Sequence, residues 1–148
     1  MATYDFTPTN YVESLRSVIE QRIVAQWKDG SGNPLTDIAW PFGNYAPTPG
    51  TPWLKVDILY GQSTPMTMGE SRGLNLNVGS IQLQVYAPKG KGAGDVLNSL
   101  TGSARAIFSR YFGSGLRCGA SSLLPPQFNN AWAIATVTTP FEAFELQP

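Results

Sequence analysis

Apolar residues recur at steps of three and four from Tyr11 to Trp27: Val12, Leu15, Ile19, Ile23 and Trp27, with Val18 beside them. That spacing predicts an amphipathic helix. Asn10 stands where an N-cap belongs, and Glu13 three residues later can close a capping box. Glu13 lies near the positive end of the helix and Lys28 near the negative end, as the macrodipole favours, and Gly30 supplies a stop. A second helical stripe runs through Leu97, Leu100, Ala104, Ile107, Phe108 and Tyr111. It predicts a helix from Val96 to about Phe112, with Asp95 as its N-cap, Gly102 as a weak point, and Gly113 and Gly115 ending it.

The segments between and after these stripes alternate with a period of two. In "WLKVDILY" (53–60), Leu54, Val56, Ile58 and Tyr60 lie on one face, and Trp53, Lys55, Asp57 and Leu59 on the other. In "SIQLQVYAP" (80–88), Ile81, Leu83 and Val85 point inward, and Gln82, Gln84 and Tyr86 outward. Near the end, Trp132, Ile134 and Thr136 oppose Ala133, Ala135 and Val137 in a strand that Pro140 is expected to interrupt. "LTDIAW" (35–40) reads as a short strand ended or marked as an edge by Pro41. The rest of 30–53, rich in proline, glycine and large aromatics, reads as an ordered loop. Segment 61–79, polar and glycine-bearing, reads as a long connection. Strands with one apolar and one polar face indicate an antiparallel sheet covered on one side. The expected fold is therefore α+β: a mainly antiparallel sheet with two amphipathic helices packed on one face, in one domain spanning 1–148.

Composition narrows the function classes. Ten basic residues balance ten acidic ones, and charged residues make up 14% of the chain, against about 25% in a typical domain. Neutral polar side chains must cover much of the surface, which suits a protein whose faces are covered by neighbours. A zero net charge offers no electrostatic argument for nucleic acid or membrane. The apolar run 131–135 is far too short for a membrane span. "MATYDFTPTN" lacks the basic start and apolar core of a secretory signal, so the expectation is a soluble protein made in a cytoplasm.

With no histidine in the chain, Ser-His-Asp and Cys-His catalysis and imidazole metal sites are excluded. The single cysteine, Cys118 in "LRCGA", cannot form an internal disulfide and reads as a small strand residue. The acids are scattered, Glu142 and Glu145 being the closest pair near the end. The expectation is no catalytic residues, no metal and no cofactor.

"YAPKGKGAGD" (86–95) looks at first like a phosphate cradle. A P-loop, however, needs a hydroxyl after its lysine, and Gly92 follows Lys91. Dinucleotide strands are continuous apolar runs, whereas "IQLQVY" alternates. Asp95 would put a negative charge where a phosphate docks. The stretch therefore reads as a strand-to-helix turn with a capping acid.

The same residues resemble a family. "IAWPFGNYAP", "PWLKVDIL" and above all "GSIQLQVYAPKGKGAGDVLNSL", together with the N-terminal helix and Phe108 at the second helix end, resemble the tail terminator (tail completion) proteins of long-tailed bacteriophages. Segment 61–79 and the stretch after Gly113 show no match. The resemblance implies a non-enzymatic structural virion protein at the head-proximal end of the tail, assembled in the host cytoplasm. Six copies would form a ring that caps the tail tube, stops tube polymerisation and offers a surface to the head-side connector. It implies partners in the tail tube protein, the connector and the chain itself, with no membrane and no specific nucleic acid, the genome at most passing through the lumen. Other readings are a different neck or minor tail component, or a small nucleotide-binding protein using the 90–95 glycine loop. Residues expected at element ends yet exposed, and so candidates for ring contacts, are Glu70, Arg72, Lys89 and Lys91.

Overall fold

The structure is a computed structural model that describes residues 6–66, 74–129 and 131–146. Two helices, α1 (Tyr11–Gln26) and α2 (Ala93–Phe108), accompany strands β1 (Asp37–Ala39), β2 (Trp53–Pro65), β3 (Leu74–Pro88), β4 (Phe112–Gly113), β5 (Leu116–Cys118), β6 (Ser122–Leu123), β7 (Gln127–Phe128) and β8 (Trp132–Leu146). The sheet order is β1-β2-β3-β8-β5-β4, with β6 and β7 also pairing with β8. All pairings are antiparallel except β1 with β2. Both helices cover one face, so the expected α+β architecture is the observed one.

The register explains which face is covered. Leu54 is opposite Val85, Val56 opposite Leu83 and Ile58 opposite Ile81. Across the other side of β3, Val85 meets Ala135 and Leu83 meets Val137. Opposed residues share a face, so these positions form one apolar surface. Leu15, Ile19 and Ile23 of α1 and Leu97, Ala104, Ile107 and Phe108 of α2 complete the core against it. Fully burying each such Leu, Ile or Phe contributes about 1.5–3 kcal/mol. The two helices are also joined directly. Arg22 Nε donates to the Ile107 carbonyl at 2.6 Å, one of the last-turn acceptors that a helix cannot satisfy itself, and its guanidinium lies 3.7 Å from the centre of the Tyr111 ring.

Several expectations are corrected. Segment 61–79 is not a connection: β2 continues to Pro65 and β3 begins at Leu74, making a long hairpin. Between Tyr60 and Ser63 the register shifts, so that Gly61 and Gln62 stand against Val78 alone, which is a β-bulge. α2 starts at Ala93, after Gly92 at φ 85°. The turn from Gly90 to Ala93 winds straight into the helix, with Ala93 N–H donating to the Gly90 carbonyl and Val96 N–H to that of Gly92. Asp95 is consequently inside the first turn, not at the cap, where its charge still complements the positive end of the helix dipole. α2 ends at Phe108, because Ser109 leaves the helical region and Arg110 takes φ 59°. Gly115 does not end the helix; with Ser114 it forms the two-residue, positive-φ turn of the β4–β5 hairpin.

Asn10 does occupy the N-cap of α1, but without a side-chain bond to the helix. Its Oδ1 accepts from the Thr7 N–H at 2.7 Å, closing the preceding turn instead of a capping box. Pro140 does not interrupt β8. Its carbonyl accepts from Gly119 N–H at 2.9 Å. A residue's N and C=O point the same way in a strand, so the missing donor faces the gap between β5 and β6 and not β3.

Candidate functional site

The glycine corner is a turn by geometry. Gly90 (φ 146°) and Gly92 (φ 85°) need positive φ, and a Cβ on Gly90, Gly92 or Gly94 would meet open space. Nothing therefore approaches this backbone closely enough to demand glycine for contact. Lys89 donates its N–H to the Ala131 carbonyl at 3.0 Å, and its ammonium lies 5.9 Å from the Phe128 ring centre. Lys91 is exposed, with no ion-pair or hydrogen-bond partner among the described residues. The corner thus brings Lys89, Lys91 and Asp95 into one turn region. Asn10 lies at the start of the other helix, and Glu70 and Arg72 lie outside the described residues.

Cys118 is buried on the helix side of β5. Desolvation pushes its thiol up to about 12, which leaves no thiolate for nucleophilic work near neutral pH. In the unfolded chain the thiol ionises from about pH 8.5. Above that pH the folded state holds the extra proton, so stability must fall as pH rises. Urea titrations at pH 8 and pH 10 are expected to show this decline, and Cys118→Ala to make it shallower; an identical slope in the variant would remove the thiol as the cause. Among the described residues no group of three or more Cys, Asp or Glu side chains could hold a metal, and no helix is long and apolar enough to cross a membrane.

What the structure does assemble is a surface on the sheet face opposite the helices. Trp53 lies flat on its strand partner Tyr86, with ring centres 3.9 Å apart and planes 11° from parallel. Trp132 meets both rings edge-on, and Tyr45 reaches in from the loop after β1. The cluster covers Trp53 to 9% exposure, although alternation assigned Trp53 to the outward face. The Trp53 Nε1–H finds no acceptor among the described residues. Sequence reasoning missed the cluster; the signal was that Trp53, Tyr86 and Trp132 share one parity near the same end of the sheet.

No family model and no curated protein sequence matches the chain. The fold does have a solved counterpart. A chain known by a sequence identifier alone superposes with a TM-score of 0.64 at 16% identity, covering 88% of this chain and 94% of its own length. At that identity the likeness is one of fold.

Beyond the aromatic cluster, charged groups gather at the two lateral margins of the same face. Asp37 of β1 is opposite Trp53 and shares its face with Lys55 and Asp57 of β2. Lys55 Nζ and Asp57 Oδ2 are 3.9 Å apart, and Tyr45 donates its hydroxyl to Asp37 at 3.3 Å. At the other margin, Arg117 of β5 is opposite Glu142 of β8 and Phe112 of β4. With Arg110 they line a groove of about 860 Å³. Neither guanidinium is ion-paired among the described residues. Phe112 is 77% exposed there, and Phe42, beside the first margin, 98%.

Proposed function

We propose that this chain is a structural virion subunit of the tail-terminator type. It assembles as a homohexameric ring that caps the phage tail tube, stops tube polymerisation and presents a face to the head-side connector, without enzymatic activity. The observation that carries this reading is the outer side of β2. β1 pairs only with Trp53, Leu54 and Lys55, and from Val56 to Pro65 no described strand occupies that side. A row of strand amides and carbonyls with exposed Leu59 and Tyr60 beside it is a ready template for another chain. The tail-protein likeness of "IQLQVYAPKGKGAGD" and the low surface charge point the same way. In this reading Lys91, free at its corner, is available to a neighbouring tail or connector subunit.

Light scattering on the eluting protein tests the assembly. The expected mass is about 96 kDa, six times the 16.0 kDa chain, with six-fold rings in negative-stain images. A 16.0 kDa species at every concentration, without rings, would overturn it.

A further inference from the structure

We propose that the two lateral margins of the sheet are the two halves of one head-to-tail contact between copies of this chain. The inference rests on the ring reading above and names its interface. The β1–β2 margin carries Asp37, Lys55 and Asp57, two acids and one base; the β4–β5 margin carries Arg110, Glu142 and Arg117, two bases and one acid. One margin is thus the charge inverse of the other. The strand partnerships put Asp37, Lys55, Asp57, Arg117 and Glu142 on the face away from the helices, and Arg110 lines the groove with Arg117, so one translation and rotation can bring the first row of one copy to the second row of the next.

Apolar groups accompany each row. Phe42 and Leu59 stand exposed at the acidic margin, and Phe112 at the basic one. Exposed aromatic and arginine side chains gathered at one spot are the types that anchor interfaces once desolvated. The acidic margin is also where no described strand covers the outer side of β2 beyond Lys55, and where Trp53, lining a recess with Lys55 and Asp57, has a buried Nε1–H without an acceptor among the described residues. A neighbouring copy would supply strand partners and acceptors at that margin.

Charge also disfavours a margin meeting its own copy. A two-fold contact made through a single margin would set that row against itself, acids opposite acids or arginines opposite arginines, which repels. Joining unlike margins avoids this, and a contact between unlike patches generates a ring whenever the rotation closes.

The test reverses one margin at a time. Asp37→Lys/Asp57→Lys and Arg110→Glu/Arg117→Glu are each expected to weaken self-association about tenfold or more while keeping the circular dichroism of the unaltered chain. An equimolar mixture of the two variants should assemble again, because acids then meet arginines and lysines meet glutamates around an alternating ring. A single chain with all four reversals should assemble alone. Light scattering reads each case. Where a reversal lowers the melting temperature, Arg110→Gln/Arg117→Gln replaces it, with the same expected loss. Assembly of either one-margin variant at unaltered affinity, or failure of the folded mixture to assemble, overturns the interface while the ring reading stands. A chain that is monomeric before any substitution overturns both.

Discussion

Replacing Trp27 by alanine is expected to cost about 3–5 kcal/mol, the range for deleting a buried large aromatic. Domains of this size are stable by only about 5–15 kcal/mol, so the variant should be largely unfolded in mild urea. Three roles meet in this residue. It is 1% exposed at the end of α1, where its N–H closes the helix on the Ile23 carbonyl at 2.8 Å. Its carbonyl accepts from Leu35 N–H at 3.3 Å, and its indole Nε1 donates to Thr36 Oγ1 at 3.0 Å. The side chain therefore fills the core and also holds the returning segment that leads into β1. Trp27→Phe keeps most of the volume and loses the indole donor, so a smaller cost of about 1–2 kcal/mol is expected. Urea midpoints for the pair check both figures. A Trp27→Ala cost below about 1 kcal/mol would mean that the core does not depend on this contact.

Trp27 also shows how much of the fold the chain displays in its own pattern. The stripe through Leu15, Ile19, Ile23 and Trp27 was readable because one face of α1 is buried and the other wet. The inward positions of β2 and β3 were readable for the same reason, since alternation tracks burial. Where burial stops tracking backbone geometry, the signal disappears. Residues 61–66 are all exposed, so no alternation remains, yet Ser63, Thr64 and Pro65 still pair with Asn77, Leu76 and Asn75. The strands β4 to β7 are only two or three residues long, shorter than any periodicity can show. Pro140 misled because a proline's effect depends on which side of the strand its nitrogen faces, and that is a tertiary fact.

The candidate surface was less legible than the fold. Lys89 and Lys91 were identified by their position at an element end, but Lys89 already has the Phe128 ring beside it. The margin rows could be read only in part: alternation puts Lys55 and Asp57 on one face, but Asp37 joins them only through the parallel pairing of β1 with β2. Arg110 and Arg117 likewise come together only through the β4–β5 hairpin, Arg110 in what was expected to be the end of a helix and Arg117 beside the expected strand residue Cys118. The glycine corner was legible as a turn, from the alternating strand before it and the missing hydroxyl after Lys91. Its composition suggested phosphate chemistry, whereas its glycines meet two positive φ values and nothing else.

Gly79→Ala is the second substitution expected to be severe, at about 3 kcal/mol, the upper part of the range for overpacking. The reason is the bulge in the β2–β3 hairpin. Gly79 is opposite Tyr60 on one side and Phe141 on the other. A Cβ built there would sit 2.6 Å from the Phe141 ring and 2.4 Å from the Leu59 carbonyl oxygen. The ring is itself 2% exposed, so it has no free space to move into. Gly61 is in a similar position on the bulged strand, where a Cβ would lie 2.8 Å from the Val78 carbonyl oxygen. Both glycines therefore let backbones approach closely where two residues of β2 face one of β3. Gly79→Ala/Phe141→Leu separates the two clashes. Shrinking the ring relieves one of them, so the double variant should be more stable than the sum of the single costs predicts, by about 1 kcal/mol. Strict additivity would assign the whole penalty to the strand backbone at Leu59. Because the bulge sets how the far arm of the hairpin bends, Gly79→Ala should also weaken self-association beyond its effect on melting. Light scattering well below the melting temperature checks this, and unchanged assembly would separate the hairpin from the ring contact.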